Sequence, residues 1–317
     1  MAVKDYIRLM RPHQWYKNLL VFLAIVFVEI PSEWPWETLP AAYNIWNYPP
    51  LIVGFLVFCA VSSAGYILND ITDLEQDAVH PEKRERPLPS GRASSGSAKG
   101  LAVILLAIGF TVAYFENGFF FIIVVMYFVN SQLYNYFLRK WAVVDVVDIA
   151  FGFVLRAVAG TAILLVPFTS WLVIGVFFFA LILGFGKRKN ELQYLGEDAA
   201  KHKPVFTQYT EAILDQGITM SATWLVLFYA LYTYNNFPGE MMVYQPVMMT
   251  VPIVAGLILR YVYLIQIGSP VGRKPHLAFK DKGILFGVVL FIIVLGVALF
   301  FWRGILEMLL TMFPVFP

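Results

Sequence analysis

Apolar residues fall in nine long runs along the chain, at approximately 18–31, 50–69, 98–115, 118–137, 143–166, 169–186, 212–234, 245–266 and 283–302. Most have the length, roughly 20 residues, that a helix needs to cross about 30 Å of hydrocarbon. The first is shorter and relies on Trp15 and Tyr16 at the interface. Nothing alternates polar and apolar with period two, which argues against a barrel. In lipid a spanning segment must satisfy its own backbone polar groups, and that leaves helices. The pattern predicts an all-α polytopic membrane protein with nine transmembrane helices, forming one integral-membrane domain over residues 1–317.

Composition agrees. The chain is 59% hydrophobic and 14% charged, where a soluble domain carries about a quarter charged residues. The one cysteine, Cys59, lies inside an apolar run, so there is no disulfide framework and no CxxC metal site. The opening stretch MAVKDYIRLMRPHQWYKN is polar and aromatic, and no small-residue cleavage site follows it. It reads as part of the mature protein.

The positions of the charges predict the orientation. Twenty of the 23 Lys and Arg residues fall in the N-terminal tail and in alternate connections, after the second, fourth, sixth and eighth runs. The intervening connections hold none; the remaining three are Arg156, Arg260 and Arg303. Basic residues concentrate on the cytoplasmic side, so the N-terminus is expected inside and the C-terminus outside, in the plasma membrane. The long connections 70–97 and 187–211 then share the cytoplasmic face, where they are expected to cap an active site. Small residues (Ser62 to Gly65 in the second run, and Gly152, Ala157, Ala159 and Gly160 in the fifth) suit close packing of antiparallel neighbours.

Chemistry concentrates where the second run ends, in NDITDLEQDAVHPEKRERPLPSGR (69–92). Asn69, Asp73 and Asp77 are spaced i, i+4, i+8, and Asp70 joins them at i, i+3, i+7, so a continuing helix lines all four on one face. Carboxylates so close repel one another unless a cation neutralises them. Hard oxygen donors without His or Cys suit Mg²⁺, which keeps waters and binds through a few carboxylates plus substrate phosphates. The bland alternative is a solvated acidic helix end. Lys83, Arg84 and Arg86 follow, in a segment that Pro81, Pro87 and Pro89 keep from being helical. Metal-binding carboxylates followed by guanidinium forks make a cradle for a diphosphate; the competing role for these bases is topology alone.

Other candidates leave two roles open. Arg156 sits a dozen residues into the fifth run, where an unpaired charge is costly. Asp145, Asp148 and Arg156 fall on one helical side, so either a structural ion pair or a substrate contact would account for it. Tyr134, Asn135 and Tyr136 close the fourth run, where tyrosines anchor at the interface. After the sixth run, Lys187 and Glu191 suit a local i, i+4 pair, and with Arg188, Glu197 and Asp198 they also form a second mixed cluster. Arg11 and Lys17 flank Trp15, positioned to hold a lipid phosphate or to anchor. The four histidines have no metal-ligand spacing.

These residues resemble a known family. NDxxDxxxD is the first aspartate-rich motif of the UbiA superfamily of intramembrane prenyltransferases, and the resemblance covers essentially the whole chain. RPHQWYKN, NDITDLEQDAVHPEKRERPLPSG, YNYFLRKWAVVDVVDIAFGFVLRAVAG and GRKPHLAFKDKGIL look more narrowly like its decaprenyl-phosphate phosphoribosyltransferase branch. The resemblance implies nine helices around a central cavity. One departure bears on the branch: the family's second aspartate motif, DxxxD, is replaced by GKRKNELQYLGED. That argues against a second metal of the prenyltransferase kind and suits a donor with an extra 5-phosphate, held by Lys187, Arg188 and Lys189.

What the resemblance implies is transfer of 5-phosphoribosyl from phosphoribosyl diphosphate to a polyprenyl phosphate, releasing pyrophosphate. Mg²⁺ would sit on Asn69, Asp73 and Asp77, with Lys83, Arg84 or Arg86 neutralising the leaving group. The lipid's phosphate would lie near Arg11, Lys17 or Arg156. The expected partners are the two substrates and membrane lipids, with no nucleic acid. The alternatives are a UbiA-type prenyltransferase acting on an aromatic or glycerol-phosphate acceptor, and a transporter using Arg156 and Arg260 as an anion path.

Overall fold

The computed structural model describes residues 3–25, 45–79, 83–236 and 245–312. Among them no strand occurs. The helices are α1 (Val3–Leu9), α2 (Tyr48–Thr72), α3 (Leu74–Val79), α4 (Ser95–Glu116), α5 (Gly118–Tyr136), α6 (Val144–Ile163), α7 (Ser170–Leu195), α8 (Ala199–His202), α9 (Glu211–Asn236), α10 (Val251–Gln266), α11 (Lys282–Gly296) and α12 (Trp302–Met312). A 3-10 segment, Pro12–Ile25, follows α1.

Seven described stretches are long and apolar enough to cross a membrane: Ile45–Thr72, Ser95–Glu116, Gly118–Tyr136, Val144–Ile163, Ser170–Leu195, Pro246–Gln266 and Lys282–Phe301. They coincide with seven of the nine expected spans. Of the other two, the 18–31 run is described only to Ile25 and winds as a 3-10 segment. The 212–234 run forms the 26-residue α9, whose first turns carry Glu211, Asp215 and Gln216 and lower its apolar content. The connection 32–49 lies largely, and 235–244 almost wholly, outside the described residues.

Contacts divide the chain into two compact units, residues 1–180 with 197–209, and residues 181–196 with 210–317. In the first, the 3-10 segment, α2, α4, α5 and α6 share a buried core around Val21, Phe58, Val61, Phe120, Val124 and Leu155. Within lipid such packing gains van der Waals contact rather than release of water. The small-residue stripe on α6 serves it: a Cβ on Gly160 would stand 1.9 Å from the carbonyl oxygen of Val21. Trp15, expected as an interfacial anchor, instead donates Nε1–H to Ser63 Oγ at 3.1 Å.

Caps set the helix ends. Asn117 accepts from the Phe120 amide at 2.7 Å, and its Nδ2 donates to the Ala162 carbonyl at 3.1 Å, tying the start of α5 to the end of α6. In the second unit Asp281 caps α11 by accepting from the Ile284 amide at 3.0 Å. The same carboxylate takes both arms of Arg260, at 3.1 and 2.9 Å. Arg260 is thus neutralised, and half of the basis for an anion path is removed.

Candidate active site

The acidic comb is built by helix that continues through a break. After α2 ends at Thr72, the Asp73 amide still donates to the Asn69 carbonyl at 2.9 Å and the Asp77 amide to the Asp73 carbonyl at 2.8 Å. The expected i, i+4, i+8 row therefore forms, and Asn69 Nδ2 donates to Asp73 Oδ2 at 3.2 Å.

Each carboxylate meets a guanidinium. Arg86 Nη1 bridges Asp70 Oδ1 at 3.0 Å and Asp77 Oδ2 at 2.7 Å. Arg11 also binds Asp70 and lies over the Tyr66 ring, 5.2 Å from its centroid. Arg139 Nη1 binds Asp73 Oδ1 at 2.7 Å. Asp70 and Asp77 are almost fully buried, at 2% and 1% exposure, a situation a carboxylate tolerates only when paired.

The loop after α3 delivers Arg86 as a shaped turn. The Ser90 amide bonds the Arg86 carbonyl at 3.0 Å, the Ala93 amide bonds the Pro87 carbonyl at 2.8 Å, and Gly91 turns at φ 73°. Leu88 and Ala93 sink into a core with Leu9, Ala64, Ile67 and Ala98, while Arg92 pairs with Asp5 of α1 at 3.4 Å. The N-terminal stretch thus braces this loop, and Arg11 reaches Asp70 from a left-handed backbone at φ 52°, a conformation that costs energy in a non-glycine residue.

Other candidates fall elsewhere. Arg84 is exposed and only loosely paired with Glu85 at 3.9 Å. The Lys83 side chain lies outside the described residues, as do His80, Pro81 and the side chain of Glu197. Asp145 is fully buried, accepting from the Tyr209 hydroxyl at 2.5 Å. The same hydroxyl receives the amide of Val143, at 2.7 Å. Asp148 is buried, and its backbone carbonyl accepts from Asn130 at 3.3 Å. Neither aspartate pairs with Arg156 among the described residues, so the ion-pair role for Arg156 falls. Its guanidinium donates to Asn18 Oδ1 at 2.8 Å, the Gly152 carbonyl at 2.8 Å and the Tyr127 hydroxyl at 2.6 Å.

In the second unit, Arg188 is buried and donates to Glu191 at 3.1 Å, with Lys187 3.9 Å from the same carboxylate. Lys189 is held by Asp215 at 2.5 Å and by Gln266. Of the three bases expected for a phosphate, Lys189 is thus committed to a structural network. Arg139 is the site residue that sequence reasoning passed over, because it and Lys140 were explained by topology alone.

The row of Asn69, Asp73 and Asp77 offers amide and carboxylate oxygens only, which fits Mg²⁺ chemistry. Among the described residues no three Asp, Glu, His or Cys side chains gather in a group that could hold a metal ion by themselves.

Residues 38–280 match the UbiA prenyltransferase family. A decaprenyl-phosphate phosphoribosyltransferase of Mycolicibacterium smegmatis is 29% identical over 309 residues, 94% of this chain and 93% of that protein. Another, from Corynebacterium glutamicum, is 31% identical over 231 residues, 72% of this chain and 67% of its own length. Among solved structures, a UbiA homologue from Archaeoglobus fulgidus bound to GPP and Mg²⁺ superimposes with a TM-score of 0.66 at 18% identity, over 92% of this chain and 99% of that one. The aspartate row, its arginine partners and these matches lead to one conclusion: the chain belongs to the UbiA prenyltransferase family of membrane-embedded transferases.

Proposed function

We propose that this protein transfers the 5-phosphoribosyl group of phosphoribosyl diphosphate to a polyprenyl phosphate and releases pyrophosphate, working at the cytoplasmic face of the plasma membrane. The observation that carries the proposal is the oxygen row of Asn69, Asp73 and Asp77 interleaved with the guanidinium groups of Arg11, Arg86 and Arg139. Oxygen donors for a divalent ion and forks for phosphate oxygens, on one short stretch, match a diphosphate leaving group. Similarity to a phosphoribosyltransferase over 94% of the chain supports the sugar donor rather than an isoprenyl one. The exclusion of basic residues from alternate connections supports a cytoplasmic N-terminus and nine spans.

Asn69, Asp73 and Asp77 would hold Mg²⁺, which when bound supplies positive charge against the diphosphate oxygens. The chain's own groups do the rest. Arg86 and Arg139 turn their forks to the leaving diphosphate and stabilise the charge that accumulates as the C1–O bond breaks. The acceptor's phosphate is an anion and already a nucleophile, so it attacks C1 without a general base, with inversion. Positioning of the two substrates, rather than proton transfer, is what the site must provide.

The test uses purified protein with Mg²⁺, labelled phosphoribosyl diphosphate and a panel of polyprenyl phosphates. Label should move to lipid with equimolar pyrophosphate, and chelation should stop it. Pyrophosphate release from an isoprenyl diphosphate with a small acceptor, and none from phosphoribosyl diphosphate, would replace this reading with the prenyltransferase one.

A further inference from the structure

Backbone amides in a turn need acceptors, and the turn between α5 and α6 borrows two of its acceptors from far along the chain. The amides of Phe137, Lys140 and Trp141 go to the nearby carbonyls of Leu133, Phe137 and Leu138. The next two go elsewhere. The Ala142 amide donates to Gln208 Oε1 at 3.1 Å, and the Val143 amide to the Tyr209 hydroxyl at 2.7 Å, each across 66 residues of chain. Gln208 uses its other end as well, donating from Nε2 to the Lys140 carbonyl at 2.9 Å. One side chain thus grips the backbone on both sides of Trp141. The Tyr209 hydroxyl gives its own proton to Asp145 Oδ1 at 2.5 Å, a fully buried carboxylate in the first turn of α6.

This clamp holds a backbone that would not keep its shape alone. Val143 takes φ 68° and ψ −48°, a region that a β-branched residue enters only under constraint from its surroundings. Its side chain is 43% exposed, so its own packing does little to hold it there. Val143 also stands at the N-cap of α6 without a side-chain cap of its own. The clamping residues are firmly seated. Val205 and Phe206, in the 3-10 turn Pro204–Thr207 just before them, are buried, as is Tyr209. Residues 197–209 belong with 1–180 to the first compact unit, and with them the aspartate row.

What the clamped turn carries is Arg139, the residue next to Lys140, whose guanidinium bonds Asp73 Oδ1 at 2.7 Å. An arginine on a slack loop would exchange such a pair for water; one on a backbone gripped just beyond it keeps its direction. Resting on the transferase reading above, we infer that Gln208 and Tyr209, anchored by Asp145, are positioning residues that hold Arg139 against Asp73 for the diphosphate. Both act through the turn and neither meets the substrate. Asp145, a candidate for substrate contact by sequence, becomes the anchor of the clamp. The connection after α7 thereby contributes to the aspartate site through hydrogen bonds to the backbone rather than through its bases.

Binding of pyrophosphate with Mg²⁺ to the full-length protein in detergent, measured by calorimetry, tests this, because phosphoribosyl and isoprenyl donors share the diphosphate. Gln208→Met is the main variant, since Gln208 is exposed; Tyr209→Phe also strips buried Asp145 of a donor. Each should weaken pyrophosphate about fivefold, and Arg139→Gln about tenfold. Added to Arg139→Gln, either clamp substitution should cost less than about a further twofold, because its effect passes through the missing guanidinium. In turnover, KM for the diphosphate donor should rise in parallel, while KM for the lipid phosphate stays within about twofold. Equal losses with and without the Arg139 guanidinium would overturn the inference, leaving the clamp a device for starting α6. Wild-type pyrophosphate affinity in both Gln208→Met and Tyr209→Phe would overturn it too. Coupled losses in pyrophosphate binding with no use of phosphoribosyl diphosphate would keep the clamp and remove the donor.

Discussion

Two buried polar clusters sit in the same compact unit and solve opposite problems. At the end of α2, Asp70, Asp73 and Asp77 are met by Arg11, Arg86 and Arg139. The positive and negative groups there are close to balanced. Around Arg156 and Lys17 every described partner is neutral, and the balance is positive. The first cluster is stable as it stands and accepts a cation together with an anion. The second is short of negative charge and calls for an anion alone. Under the proposed function the first would hold the diphosphate with its metal.

The comparison breaks first at the carboxylates. Asp73→Asn removes an oxygen donor and frees Arg139, and is expected to lower kcat about 10²–10³-fold in a pyrophosphate-release assay. Arg156→Gln comes next, with KM for the lipid up about tenfold or more and kcat little changed. Arg139→Lys keeps the charge but loses the fork, and is expected to cost about tenfold in kcat/KM through the donor and not the acceptor.

The smallest effect is expected at Arg84: its pair with Glu85 is exposed, and Arg84→Ala should change turnover less than about twofold.

How far these clusters could be read beforehand differs between them. The aspartate row was legible because its spacing is local, set within one turn-by-turn pattern of a single helix. Arg86 was legible through the prolines around it. Arg139 was not, since its partner lies 66 residues away and its neighbours explain a basic loop by topology. At Arg156 one of the two open readings was an ion pair with the aspartates on its own helix, but the side chain turned to Asn18 and Tyr127 on other segments. Periodicity places residues on a face; it does not say which neighbouring segment fills the space opposite. The 3-10 winding of Pro12–Ile25 was equally silent, because a short apolar run after Pro12 reads the same in either helix type.

The contact between Gly160 and the Val21 carbonyl has a consequence for assembly. Asn18 meets Arg156 across 138 residues of chain, so the N-terminal segment reaches the membrane long before its seat on α6 exists. It must wait while four further helices are synthesised and inserted, and only then can it dock against the bare backbone at Gly160. Gly160→Ala, which over-packs that contact at a cost of ~1–3 kcal/mol, should therefore act late in biogenesis. Such a chain would integrate its helices normally and then present an N-terminus open to proteases, with the aspartate helix already in place.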